Sequence, residues 1–228
     1  MANDLPFAIQ LETGINRLGV TPDDWRKDLA CGADFLMSHL ACADQKSNKN
    51  NQRQLNKFLS MTSDLNIPRS LSATAGILLD KSYHFDLTRP GIGLYGGYPF
   101  INSDPVISLD IPVIQTKIIK KGETVGYGAS YKAKEKTKVA TINAGYADGI
   151  FRSLSSKLIL FHEETPCYSI GRISMDLITI DITHLNQTPK FLTLIGPQQS
   201  IDQLGKLTDT IGHEVLTSLG SRYERILV

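Results

Sequence analysis

A chain of 228 residues with 41% hydrophobic and 21% charged side chains has the make-up of an ordinary globular protein, long enough for one large domain or two modest ones. Its net charge of +1 offers no basic field to nucleic acid or an anionic membrane, and no apolar run approaches the roughly 20 residues of a membrane span. Three widely spaced cysteines without a CxxC pair, and a start (MANDLPFAIQ) lacking a basic n-region, point to reduced thiols and a cytoplasmic location. In chain order, LPFAIQL (5–11) reads as a short buried strand ending in the ETG turn at 12–14. TPDD (21–24) has the form of a helix start with a capping box, and DFLMSHL (34–40) is a second strand. A helix follows the polar stretch from Ser47, with Leu55, Phe58, Leu59, Thr62 and Leu65 as its apolar face. RSLSA (69–73) is a third strand, a short helix runs through Gly76–Leu79, and DLTRPGIGLYG (86–96) is a fourth strand with a glycine-rich exit. Strand alternating with helix argues for parallel β/α units, about four of them.

Near Asp104–Pro105 the texture changes. Short strands then follow one another at 113–120, 138–144, 157–162, 166–172, 175–182 and 191–196, separated by turn residues. SIDQLGKL (200–207) opens a helix with a Ser–x–x–Gln box, a second helix covers 211–219, and SRYERILV reads as a closing strand. The expected organisation is a β/α part over 1–105 and a β-rich domain over 106–228. The five histidines show no HExxH or paired-ligand spacing, so no metal site is expected. There is no Walker loop, GxSxG elbow or Rossmann fingerprint.

Three blocks place functional side chains beside glycine: VGYGASY (125–131), NAGYADG (143–149) and GRISMD (171–176). Each alone reads as a turn with a packed side chain. In their order, and with ETGINRLGV, SHLACAD, SATAG and TRPGIGLYG upstream, they resemble the alanine racemases from about Phe7 to Leu227. The resemblance implies a pyridoxal-phosphate enzyme that interconverts L- and D-alanine for peptidoglycan supply and works as a homodimer. It implies the second half of a (β/α)8 barrel followed by the mainly β domain. Tyr127 then matches one of two catalytic bases, with His39 in its network. Thr74, Gly91 and Ile92 match cofactor-phosphate ligands, and Arg89 the arginine facing the pyridine nitrogen. Arg17 matches the arginine that meets cofactor and substrate carboxylate, Met175 a backbone donor to that carboxylate, and Tyr146 a tyrosine narrowing the entrance.

The chain departs from the family at several positions. Gln10 stands where many members have a lysine supporting the arginine, Ala73 replaces an asparagine, and Ser221 falls where many have a phosphate-bonding tyrosine, with Tyr223 two residues on. The family's cofactor lysine lies in a KANAYGHG-like motif, and nothing in these 228 residues matches it. The expectation is a truncated or split racemase, inactive alone, with the lysine carried by a separate N-terminal fragment. The alternative is a non-catalytic remnant or assembly subunit.

Overall fold

Short strands of the first part lie parallel, as connections through helices require. The computed structural model describes residues 5–100 and 103–227, which fall into two compact units dividing between Leu94 and Tyr95. In the first, β1 (Ala8–Gln10), β2 (Phe35–Met37) and β3 (Arg69–Ser70) form one parallel sheet in that order. Ile9 lies beside Leu36, and Met37 beside Ser70. Helix α1 (Lys49–Thr62) connects β2 to β3 and starts at Asn48, whose side chain accepts the Asn50 N–H at 3.0 Å. Its buried stripe holds Leu55, Phe58, Met61 and Thr62, together with the polar Asn51 and Gln54. These two polar residues turn the buried face away from Leu59, which was expected inside and is instead exposed. The sheet core gathers Leu11, Leu36, Leu40, Leu55, Phe58 and Leu71, and the Phe85 ring meets Phe58 edge-on at 5.1 Å.

Two expected elements of this unit do not form. Thr21 and Asp24 do bond each other, but the carboxylate accepts the Thr21 hydroxyl (2.6 Å) and so does not cap the backbone. A turn results, followed by a 3-10 helix at Lys27–Ala30. The fourth strand is reduced to a single parallel bridge, Ala73 to Arg89. Pro90 has no N–H to continue a ladder, and the chain winds into a 3-10 turn at Ile92–Tyr95. Helix α2 (Thr74–Ile77) precedes it.

The second unit is a closed antiparallel barrel. β4 (Leu109–Ile119) is its long strand, and a small hairpin, β5 (Thr124–Val125) with β6 (Tyr131–Lys132), forms a separate two-stranded sheet packed against it. β7 (Thr137–Ile142), β8 (Ile159–His162), β9 (Thr165–Ile170), β10 (Ile178–Asp181) and β11 (Phe191–Ile195) complete the ring in the order β10-β7-β4-β11-β8-β9, closed by β9 on β10. Inward residues Ile111, Ala140, Ile142, Leu160, Ile180 and Leu192 are fully buried. Closure leaves no free edge, and the expected terminal strand is accordingly absent: 221–227 is irregular. Helix α3 (Ile201–Leu207) carries the reciprocal cap read from its sequence, with Ser200 N–H on Gln203 Oε1 at 2.7 Å and Gln203 N–H on Ser200 Oγ at 3.2 Å. Helix α4 (Gly212–Ser218) follows.

Candidate active-site residues

In the first unit the polar candidates collect at the C-terminal ends of the strands, where parallel β/α units expose loop side chains and backbone ends. Arg89 is fixed there: Nη1 donates to Ser70 Oγ at 2.5 Å, and Nη2 to the carbonyls of Ser38 (2.6 Å) and Leu71 (3.4 Å). Burial pushes its pKa down, but a guanidinium keeps its proton at any physiological pH. His39 follows Ser38 directly and is half-buried; burial first, then the charges of Arg89 and Arg17, depress its pKa. At neutral pH its ring is therefore uncharged.

Thr74 opens α2 and is buried. Its hydroxyl oxygen accepts the Gly91 N–H at 2.8 Å and the Gly93 N–H at 3.4 Å, while the Ile92 N–H has no partner among the described residues. A Cβ at Gly91 would meet only Thr74 Oγ1, at 3.9 Å, so the chain itself does not demand glycine at that position. The space has the character of a cradle kept open for a ligand.

Arg17 is exposed and, among the described residues, its guanidinium has no hydrogen-bond partner; its backbone N–H is engaged by Glu12 Oε2 at 3.3 Å. Gln10, which stands where many family members have a lysine supporting this arginine, donates to the Leu18 carbonyl at 3.0 Å. Two residues the sequence reading passed over support these loops. Glu12 is buried, and Gln54, at 2% exposure, bonds Thr13 Oγ1 (3.2 Å), the His39 carbonyl (2.9 Å) and the Ala41 N–H (2.8 Å). Glu12 lay within a motif already read as a turn, and Gln54 sat unmarked in a polar stretch.

The second unit brings the three glycine blocks together through backbone contacts. Gly126 and Gly171 both take left-handed φ (78° and 75°), and a Cβ on Gly171 would stand 2.9 Å from the Val125 carbonyl. Tyr127 therefore leaves a hairpin loop pressed against residues 171–172. It is 71% exposed, and the Arg172 guanidinium lies against its neighbour Gly128. Gly145 approaches the 174–175 carbonyls so closely that a Cβ would lie 2.2 Å from the Met175 oxygen. The N–H groups of Tyr146 and Ala147 bond those carbonyls at 3.1 and 3.0 Å. Tyr146 and Met175 thus stand side by side, both exposed, with the Met175 N–H unpartnered among the described residues.

An ion-pair cluster around the buried Asp148, not anticipated from the sequence, secures this arrangement. Asp148 accepts the Gly145 N–H and the Arg222 Nε–H, at 2.8 and 2.7 Å, and Arg222 also reaches Asp176 at 2.7 Å. Tyr223 beside it has a buried hydroxyl without a partner, and burial pushes its pKa well up. Among the described residues no three His, Cys, Asp or Glu side chains gather as a metal site, and no helix is long and apolar enough to cross a membrane.

Against known proteins, residues 1–99 match the family profile described as alanine racemase, N-terminal domain, and residues 106–227 that of alanine racemase, C-terminal domain. An alanine racemase of Jannaschia sp. (strain CCS1) is 51% identical over 97% of this chain and 66% of its own length. That of Dinoroseobacter shibae is 50% identical over 96% of this chain and 64% of its own. The chain therefore spans slightly less than two thirds of the length of these relatives. Among solved structures, the Bartonella henselae alanine racemase with covalently bound pyridoxal phosphate superposes with a TM-score of 0.85 at 33% identity, covering 98% of this chain and 66% of that one. The Streptomyces coelicolor enzyme gives 0.88 at 28% identity, covering 97% and 66%.

Proposed function

This chain belongs to the alanine racemase family, and from that premise we propose that its residues supply the cofactor-anchoring and proton-exchanging parts of an alanine racemase, an isomerase acting on alanine. The observation that carries the reading is the fixed Arg89 guanidinium at the strand ends that also bear His39, Thr74 and Gly91. The reading takes β1 to β3 as strands of the second half of a (β/α)8 barrel over 1–105, followed by the β-rich domain of 106–228, in a cytoplasmic homodimer.

Pyridoxal phosphate, when bound, supplies the electron sink that lets the α-proton of an amino acid leave. The residues here fit it. The Thr74 hydroxyl and the free Ile92 N–H would hold its phosphate, and Gly91, needed for no internal contact, leaves that group room. Arg89 would face the ring nitrogen; a guanidinium does not release its proton, so that nitrogen would stay unprotonated and the electron withdrawal would be moderated. Arg17, exposed and without a side-chain partner among the described residues, would meet the substrate carboxylate, with the Met175 N–H supplied by the second copy in the homodimer. Tyr127 would take a proton from one face of the substrate. A phenol can serve as a general base only where a positioned partner assists it. Tyr146 would narrow the entrance to small amino acids.

None of the chain's lysines stands in the setting of the family's cofactor lysine. The reading accordingly assigns these residues one base, and expects the chain by itself not to racemise alanine. Titration with pyridoxal phosphate, followed by tyrosine and tryptophan fluorescence, tests it. Saturable binding weakened about tenfold or more by Arg89→Met and by Gly91→Val is expected, each having lost at least one charge-assisted contact or its space. Borohydride reduction of the mixture should leave no single lysine labelled to completion. Binding that does not saturate, or that ignores both substitutions, overturns the proposal.

A further inference from the structure

Among the described residues the Arg17 side chain has no hydrogen-bond or ion-pair partner, so its loop must aim it if it is to meet a carboxylate. The loop is organised around Glu12, which is 8% exposed. Its Oε1 accepts the Gly14 N–H at 2.5 Å and its Oε2 the Arg17 N–H at 3.3 Å, and the N–H groups of Ile15 and Asn16 also face it. Burial opposes ionisation of this carboxyl, but the four backbone donors outweigh it and hold the pKa below its ordinary value. Successive N–H groups wrapped on an anion in this way form a nest, which a neutral side chain would not assemble as firmly. The backbone conformation agrees: Gly14 and Asn16 take positive φ (136° and 55°). On its other side the loop is held by Gln54, which bonds Thr13 and lies 3.3 Å from where a Gly14 Cβ would be.

We propose that Glu12 is the positioning residue for Arg17: its ionised carboxylate gathers the N–H groups of residues 14–17 and thereby fixes where the Arg17 guanidinium stands, close to His39. The functional consequence rests on the reading that Arg17 meets the substrate carboxylate; the positioning itself does not.

The test uses the full chain without cofactor, by NMR. In the wild type, the amide protons of Gly14, Ile15, Asn16 and Arg17 should shift together as one carboxyl titrates, with a midpoint below the ordinary 4.5. The His39 ring, whose charged neighbours are Arg89 and Arg17, reports on where Arg17 is. Deleting a nearby negative charge by itself lowers a histidine pKa, whereas releasing a nearby arginine raises it. The two effects have opposite sign, so Glu12→Gln separates them. It should raise the His39 pKa toward that found in Arg17→Gln, while Glu12→Asp, which keeps the charge, should stay nearer the wild type. A His39 pKa unchanged or lowered in folded Glu12→Gln overturns the proposal. Should that variant not fold, the wild-type amides decide: four protons that fail to titrate together overturn it equally. Because no cofactor is present, a failure here leaves the racemase reading standing, and absence of pyridoxal-phosphate binding leaves this one standing.

Discussion

The unit ending at Leu94 holds its candidate loops chiefly with buried polar side chains, whereas the unit starting at Tyr95 holds its candidate loops chiefly with glycines and one ion-pair cluster. In the first, Thr13, Ser38, Ser70, Ser72 and Gln54 are almost wholly buried, and each is hydrogen-bonded to a loop or strand end. In the second, Gly145, Gly149 and Gly171 bring backbone onto backbone at distances no side chain permits. A hydrogen-bonded network weakens one bond at a time, each worth about 1 kcal/mol. A backbone contact made through glycine is lost all at once, because the obstructing atom is a carbonyl that cannot rotate away. The difference teaches that the two sets of candidate residues fail in different ways, and four measurements sharpen or break that contrast.

The largest effect is expected at Gly145. Alanine there would place its Cβ 2.2 Å from the Met175 oxygen, and unfolding by urea should show a loss of about 3 kcal/mol or more, at the upper end for overpacking. A loss under about 1 kcal/mol would mean that the two loops slide apart freely, and the contrast would fail.

Next comes alkaline pH, which should act on the barrel. Burial pushes the Cys167 thiol up to about 11 from 9.0. The folded state thus keeps its proton while the unfolded chain releases it, so stability is complete below pH 9 and falls as pH rises toward 11. Urea midpoints should drop by the equivalent of about 2 kcal/mol across that window, and Cys167→Ala should flatten the decline.

Within the polar network, Ser38→Ala removes the hydroxyl that donates to the Leu11 carbonyl at 2.8 Å and meets Thr13 Oγ1 at 2.7 Å. A loss of about 1–2 kcal/mol is expected, with the Arg89 contact to the Ser38 carbonyl surviving because it uses backbone. Hydrogen exchange at Glu12 and Thr13 should rise while the barrel amides stay protected; equal loosening of both units would contradict the division.

The smallest effect is acidic and belongs to His39. Its folded pKa is depressed below 6.5, so the unfolded chain takes up a proton first. Stability is therefore full above pH 6.5 and is lost as pH falls through the unfolded value toward the folded one. His39→Gln should remove that part of the acid dependence, and a variant with an unchanged profile would show that the ring is not held by its neighbours.

Much of the fold was legible in residue order alone. Alternating strand and helix patterns up to residue 79, six closely spaced strand patterns after residue 105 and the Ser200–Gln203 box each carry their own local cause: side-chain period, turn residues and caps. The failures were also local in origin. A Thr–Asp pair whose carboxylate chose the hydroxyl over the backbone produced a turn, and Pro90 interrupted a strand that its neighbours suggested. Of the candidate residues, those beside glycine were visible because glycine marks close approach. Glu12, Gln54 and Arg222 were not, because a charged or amide side chain looks the same in sequence whether it faces water or the interior.

What the sequence by itself determined is the order of elements and the positions where backbone must come close: the glycine blocks, the capped helices, the apolar faces. Only the tertiary structure decided which polar groups are taken out of water and what satisfies them there. Arg222 lies 74 residues from Asp148 in the chain, and Arg89 lies 51 from Ser38. Desolvation makes such partners obligatory once the groups are buried, but burial is a property of the folded neighbourhood, and no local pattern of residues encodes it.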